Sequence, residues 1–450
     1  MNNNNKAPTS LGTDDIGKLL MQYAVPAIIA MTASSLYNIT DSIFIGHGVG
    51  KDALNGLGIT FPLMNLSAAF GSMIGVGAST LLSIRMGQKD YKTANNILGN
   101  VLTLNIIMGI LLGIITIIFL KPILLFFGAS ATTLPYAYDF MLILLAGNVF
   151  THLYFGLNAM LRSAGNPMKS MIATIYTVLI NLVLNPLFIF CFHWGIQGSA
   201  LATIISQTAI LCWQIHLFND KKYFIHFQKG IYRLKKKIVT DSFSIGLAPF
   251  LMNAAGCLIV ILINRQLLKH GGDDAVGAYT IVNRLAFLFV MTVIGLNQGM
   301  QPIAGYNYGA RLQPRVISVL KKTMIYATVI MLVGFAVVET FPRQIATLFT
   351  SDTNLISLVV PGLRWVFLLY PIVGFQMVAS AFFQSIGKAG KSIILSMARQ
   401  VLILIPLLLI FPHYWGITGV WASMSVSDFL SVIIAATLLK IEFKDNKKNG

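Results

Sequence analysis

The chain has 450 residues, of which 56% are hydrophobic and only 10% charged, with a net charge of +17. An ordinary soluble domain carries roughly 25% charged residues, so this composition excludes one and points to a polytopic helical membrane protein. No series of short alternating strands suggests an outer-membrane barrel. The N-terminal stretch to Ser10 is polar and lacks a signal-peptide core, and Cys191, Cys212 and Cys257 lack metal-ligand spacing.

In chain order, the apolar segments predict twelve spans at 16–46, 53–84, 93–120, 134–161, 168–192, 195–217, 239–268, 274–306, 316–341, 353–384, 391–411 and 417–440. Several exceed the ~20 residues that cross hydrocarbon, which implies tilt or extension beyond it. The connections hold 24 of the 32 Lys and Arg residues on one side and five on the other, with Arg284, Arg364 and Arg399 inside spans. By the positive-inside rule both termini and the basic stretch around Lys221–Lys237 are cytoplasmic. This placement of the charge argues for a membrane surface and against nucleic acid as partner. Membrane lipid is expected at the basic stretch, whose Tyr223, Phe224, Phe227 and Tyr232 suit the headgroup level.

The two halves repeat. Arg162-Ser-Ala-Gly165 returns as Gln384-Ser-Ile-Gly387, and Asp52, Gly77 and Gly87 return as Asp274, Gly299 and Gly309, all at an offset of 222. Trp194-Gly195 returns as Trp415-Gly416 at 221. The period is far too long for a solenoid and marks two half-proteins. Six spans per half is even, so both halves enter from one side and are related by an axis along the membrane normal. The predicted organisation is an all-α membrane protein of two six-helix bundles. It comprises an N-lobe (1–217), a basic cytoplasmic linker (218–240) and a C-lobe (241–450).

Ionisable groups inside a membrane are costly, so each is a functional candidate. Asp41 lies roughly 35 Å along the first span, in its outer half. A desolvated carboxylate suits reversible proton or sodium binding; the alternative is an interfacial group that ends the helix. Asn181 and Asn185, four residues apart, share a face of the fifth span at roughly 20 and 26 Å. Thr203 on the sixth span is expected at a similar level. Together these oxygens make an alkali-ion or proton-relay cluster, although Asn side chains also serve as interhelical glue. Arg399 and Asp428, about 12 and 18 Å deep, are expected to form a structural ion pair. No partner can be assigned from sequence to Arg284, Arg364 or Glu339, and His152 reads as a hydrogen-bonded packing residue. Pro26, matched by Pro249, permits a bend. The many Met and Phe residues suit lipid contact or an adaptable apolar cavity. No Walker loop, nucleophile elbow or metal-binding His pair points to a cofactor or an enzyme.

Leu36-Tyr37-Asn38 through Asp41, Arg162-Ser-Ala-Gly165-Asn-Pro167, Trp194-Gly195 with Gly198 and Ala202-Thr203, and Gln301-Pro302-Ile-Ala-Gly305-Tyr306-Asn307-Tyr308-Gly309 resemble the multidrug and toxic compound extrusion (MATE) family over essentially the whole chain. The likeness is greatest to its DinF/MepA-like branch. The resemblance implies a monomeric bacterial inner-membrane antiporter with a V-shaped cavity. It would export amphipathic, often cationic drugs in exchange for H⁺ or Na⁺. It puts cation coupling on Asp41, Asn181, Asn185 and Thr203, with any Na⁺ at Asp41, helix bending on Pro26, and substrate contact on Tyr37 and Asn38. The second fifth-span position, often Asp in the family, is Asn185 here, which removes one acid. The alternative within the same superfamily is a flippase for lipid-linked precursors; twelve spans and three intramembrane arginines favour drug export.

Overall fold

A computed structural model describes residues 9–448, with side chains through Lys444. Its described residues are helices joined by short turns, without strands. Eight helices are long and apolar enough to cross a bilayer. One of them, Lys236–Gly309, would be roughly 110 Å long if straight, several times the ~30 Å hydrocarbon thickness. It is broken at Gly272, whose φ of 67° only glycine adopts readily. The run Ile405–Lys448 is likewise broken at Gly416. Each run therefore supplies parts of two crossings. Two further crossings are bent pairs: Leu134–Ala146 with Asn148–Ser163 at 57°, and Thr353–Phe367 with Tyr370–Ser385 at 51°. The count among the described residues is thus twelve.

The other spans are Ile16–Gly48, Lys51–Gly87, Tyr91–Ile118, Pro167–Cys191, Gly195–Asn219 and Gln313–Thr340, with the eleventh beginning at Ala389. The first span ends at Gly48, two residues beyond the predicted 46, and the fourth and tenth spans are bent rather than continuous. Asp41 therefore does not end its helix.

Backbone geometry carries the duplication further than sequence. Left-handed residues recur as Gly50 and Gly272, Lys89 and Arg311, Gly165 and Gly387, and Gly195 and Gly416. The short helix Leu120–Phe126 after the third span returns as Pro342–Phe349 after the ninth. The two bundles meet through glycine. A Cβ on Gly87 would lie 1.9 Å from the Tyr306 carbonyl oxygen, and one on Gly309 would lie 2.1 Å from that of Ile84. These two contacts exchange under the 222-residue offset, as a local two-fold requires. The interface continues to Phe70 against Phe250 and Gln298 against Met31, so it lies toward the ends of these spans that carry the basic residues. That end is called the basic face below.

Two swapped segments close the same face. The linker before the seventh span docks on the third span of the other bundle. The buried Asn100 side chain donates to the carbonyls of Ile231 (3.2 Å) and Arg233 (3.0 Å) and accepts from the Lys235 N–H (2.8 Å). Thr103 donates to the Tyr232 carbonyl at 2.9 Å. Symmetrically, the segment before the first span docks on the C-terminal bundle. Arg315 donates to the carbonyls of Asp14 (2.6 Å) and Leu11 (3.2 Å), Asn307 donates to Leu11, and Lys322 lies 3.6 Å from Asp15. Lys322 is the repeat mate of Asn100, so the same helical position holds a leading segment in both halves.

One hydrophobic core runs through both bundles. A second, around Ile45, Leu120, Phe140, Ile189 and Ile196, fills the end of the N-terminal bundle away from the basic face. Between them the N-terminal bundle is hollow.

Candidate functional site

The hollow is a cavity of about 430 Å³ lined by the first, second, fourth, fifth and sixth spans, with Gln298 from the eighth. Its size fits a drug-sized molecule. Tyr23, Tyr37, Tyr154 and Phe155 supply aromatic walls, and Met31, Met64, Met141 and Met171 supply adaptable ones. Polar groups are spread among them; Thr151, for example, donates to Gln207 at 2.6 Å across the fourth and sixth spans.

The ceiling is built in two layers, each taking one residue from the first, fifth and sixth spans. The layer nearer the cavity holds Tyr37, Asn181 and Thr203, of which Tyr37 and Thr203 line it. The Tyr37 and Thr203 hydroxyls are 2.8 Å apart, and the Asn181 amide donates to Thr203 at 3.3 Å. One helical turn further from the basic face lie Asp41, Asn185 and Ser199, four residues away on each span. Ser199 donates to Asp41 Oδ1 at 2.6 Å, and the Asn185 amide donates to the same oxygen. Asp41 is only 7% exposed, and Asn185 and Ser199 are fully buried. Asn185 Oδ1 is buried with no hydrogen-bond partner. A buried acceptor without a donor is unfavourable by roughly 1–3 kcal/mol, and here it sits beside a carboxylate. A bare alkali cation at Asp41 would take oxygen from Asp41 and Ser199, and from Asn185 once its amide turns from donating its nitrogen to presenting Oδ1, a donor set that suits hard cations. Asp41 does not line the cavity, so the Tyr37–Thr203 layer separates it from bound solute.

The residues expected as one cluster are divided between the two layers. Asn185 reaches Asp41, whereas Asn181 donates to Thr203, and Thr203 in turn bonds the Tyr37 hydroxyl. Thr203 lies a turn nearer the basic face because the sixth span runs antiparallel to the first. Ser199 takes the place expected for Thr203. Its only sequence signal was the four-residue step back from Thr203. Asn38 lines the cavity but is exposed and donates to the Ser34 carbonyl at 3.1 Å. Pro26 is buried within the helix Ile16–Gly48, on the stretch that leads up to Tyr37, and leaves the Gln22 carbonyl without its helical donor.

Four other intramembrane charges sort into two pairs, while Arg284 has no ion-pair partner among the described residues. Arg399 donates to Asp428 at 3.1 Å. Arg364 and Glu339, unassigned from sequence, lie 3.8 Å apart. His152 is fully buried and hydrogen-bonds the Ser67 carbonyl at 3.0 Å, a packing role beside the cavity wall.

A family model, MatE, matches residues 26–187 and again 245–410. The chain belongs to the MatE family. The double match restates the duplication, each copy covering most of one bundle. "Multidrug export protein MepA" of Staphylococcus haemolyticus is 27% identical over 420 residues, covering 93% of this chain and 92% of its own. The protein of the same description from Staphylococcus aureus (strain NCTC 8325 / PS 47) is 26% identical over 422 residues, with 94% and 93% covered. A solved structure described as the outward-facing conformation of a multidrug resistance MATE family transporter superposes with a TM-score of 0.92 at 25% identity, covering 99% of both chains. In this MatE protein the all-α, twelve-span, two-bundle organisation read from sequence is observed.

Proposed function

We propose that this MatE protein is a cation-coupled efflux antiporter for amphipathic small molecules, working as a monomer in a bacterial cytoplasmic membrane. The relatives described as multidrug exporters support the efflux reading. The basic face is cytoplasmic in this reading, as the distribution of Lys and Arg argues. The bundles pack on one another at that face, which accords with a cavity accessible from outside.

The observation that carries the coupling is the two-layer ceiling. Antiport requires that ion and drug favour different states of one protein; a ligand that binds both states equally shifts nothing. Asp41 and the cavity share Tyr37 on one helix and Thr203 on another, one turn from the acid. A cation at Asp41 draws Asn185 and Ser199 around itself and withdraws them from their present hydrogen bonds. The first span is the element free to respond, because Pro26 has already removed one of its backbone hydrogen bonds. Its displacement moves Tyr23, Met31, Tyr37 and Asn38, all cavity residues, and expels bound drug. With one acid in the site, a single proton or a single sodium ion is the coupled species.

The test is efflux of a fluorescent amphiphile from proteoliposomes under separately imposed proton and sodium gradients. The proposal expects one gradient to drive uphill transport. Transport that needs neither would remove the coupling half of it.

A further inference from the structure

Arg162 lies at the opposite end of the cavity from Asp41, and nothing in the ceiling mechanism uses it. It is the only charged residue in the lining, which contains no Asp or Glu. Among the described residues it makes no ion pair and donates no hydrogen bond. Its neighbours in the floor, Asn158, Ser170 and Thr174, are satisfied among themselves: Ser170 and the Asn158 carbonyl bond, and the Asn158 amide donates to Thr174 at 3.1 Å. They leave the guanidinium, with its five donors, without an acceptor. The fifth span also begins here with Pro167 at its first turn, so the positive end of a helix dipole faces the same floor.

The turn itself does not demand an arginine. The repeat builds the same turn in the other bundle with Gln384 in that position. In both copies the glycine is left-handed, Gly165 at 92° and Gly387 at 76°. In both, the chain closes with matching 2.9 Å hydrogen bonds, Asn166 to Leu161 and Lys388 to Phe383. Positive-inside retention does not account for it either, since that asks for a charge directed to the headgroups, and this one lines a cavity inside the bundle.

We propose that Arg162 is the carboxylate-binding group of the N-terminal cavity, so that this protein prefers amphiphiles carrying an anionic carboxylate, zwitterions included, over their purely cationic analogues. The inference rests on the efflux reading and refines its substrate class. The carboxylate sits at the floor against Arg162 and the start of the fifth span, and the aromatic body lies among Tyr154, Phe155 and the methionines. Arg binds carboxylates in a two-pronged geometry that Lys only partly replaces.

The probes are rhodamine B, a zwitterion with an aryl carboxylate, and its ethyl ester, a cation on the same ring system. Binding is measured by fluorescence anisotropy with the purified full-length protein in nanodiscs of neutral lipid. The native protein is expected to bind the acid more tightly than the more lipophilic ester. Arg162→Gln should reduce the acid-to-ester affinity ratio on the order of tenfold, with Arg162→Lys intermediate. The native comparison stands even where a variant fails to fold. Preference for the ester by the native protein, or a ratio unchanged in Arg162→Gln, overturns the inference. Gradient-driven export of the ester alongside either result overturns the carboxylate preference while leaving the efflux reading standing. Binding of neither dye, with no export of either, overturns both.

Discussion

Separating Arg399 from Asp428 should weaken the C-terminal bundle. The pair joins the eleventh and twelfth spans at 3.1 Å, and the neighbouring Ser427 hydroxyl donates to the Arg399 carbonyl at 2.7 Å. Removing one member leaves the other charged in a low-dielectric bundle, which in buried sites is worth about 3–5 kcal/mol. The side chains are 30% and 17% exposed, so partial hydration places the expected loss near the lower limit, about 3 kcal/mol. At about 2.1 cal/mol/K of unfolding entropy per residue, a 450-residue chain shifts by roughly 1 °C per kcal/mol, so the thermal midpoint in detergent should fall by about 3 °C. The assay is midpoint and monodisperse yield for Arg399→Ala, Asp428→Ala and the charge swap. Each single variant should lose stability and the swap should recover part of it. Native midpoints in both single variants would refute the reasoning.

Other expectations follow from particular contacts. Asn100→Ala removes three hydrogen bonds to the linker, about 2–3 kcal/mol if each contributes near the mean, so amide exchange around residues 231–235 should accelerate at least tenfold. Unchanged exchange would mean that the linker is held elsewhere. Gly87→Ala brings a methyl within 1.9 Å of a carbonyl across the bundle interface and should lower the midpoint or part the bundles, as a spin-label distance across the basic face would report. Glu442 is 1% exposed; burial raises its pKa, but hydrogen bonds from Lys388 and Lys391 and their charge outweigh that and hold it below its ordinary 4.5. A depressed carboxyl stabilises the fold above its unfolded value and loses that contribution as the pH falls through the folded value. The midpoint gap between native protein and Glu442→Gln should therefore be widest near neutrality and close below pH 4.5; a gap independent of pH would contradict it. Asn185→Asp adds a second acid to the outer layer and should change the proton or sodium dependence of efflux while sparing transport; identical ion profiles would argue against a shared site.

Much of the architecture was legible because membrane burial leaves few options. Every long apolar run had to be helical, and the near-constant offset of 221–222 residues gave the two bundles before any coordinates. Asp41 stood out because a lone acid in an apolar run needs a reason. What the sequence hid were relations across helices. Ser199 was overlooked because a serine in a helix is common and its depth depends on where the sixth span begins. Arg162 fell just past the predicted end of the fourth span at 161, whereas the bent fourth span runs on to Ser163 and turns it into the cavity. Arg364 and Glu339 lie in spans whose relative height could not be set from loop lengths. The swapped docking of the two leading segments left no mark in composition, since Asn100 and Lys322 share a position in the repeat but no chemistry.

The central claim is that Asp41 couples the ion to the drug, and it is tested most directly by Asp41→Asn in proteoliposomes. The variant keeps the shape of the site and removes its ionisable group. Two readouts on one preparation suffice: uphill efflux driven by an imposed proton or sodium gradient, and equilibrium binding of the same amphiphile. The account predicts that gradient-driven efflux is lost while binding in the cavity below the Tyr37–Thr203 layer is retained. Full gradient-driven efflux by Asp41→Asn would contradict it and place the coupling elsewhere, with Asp428 the next acid to test.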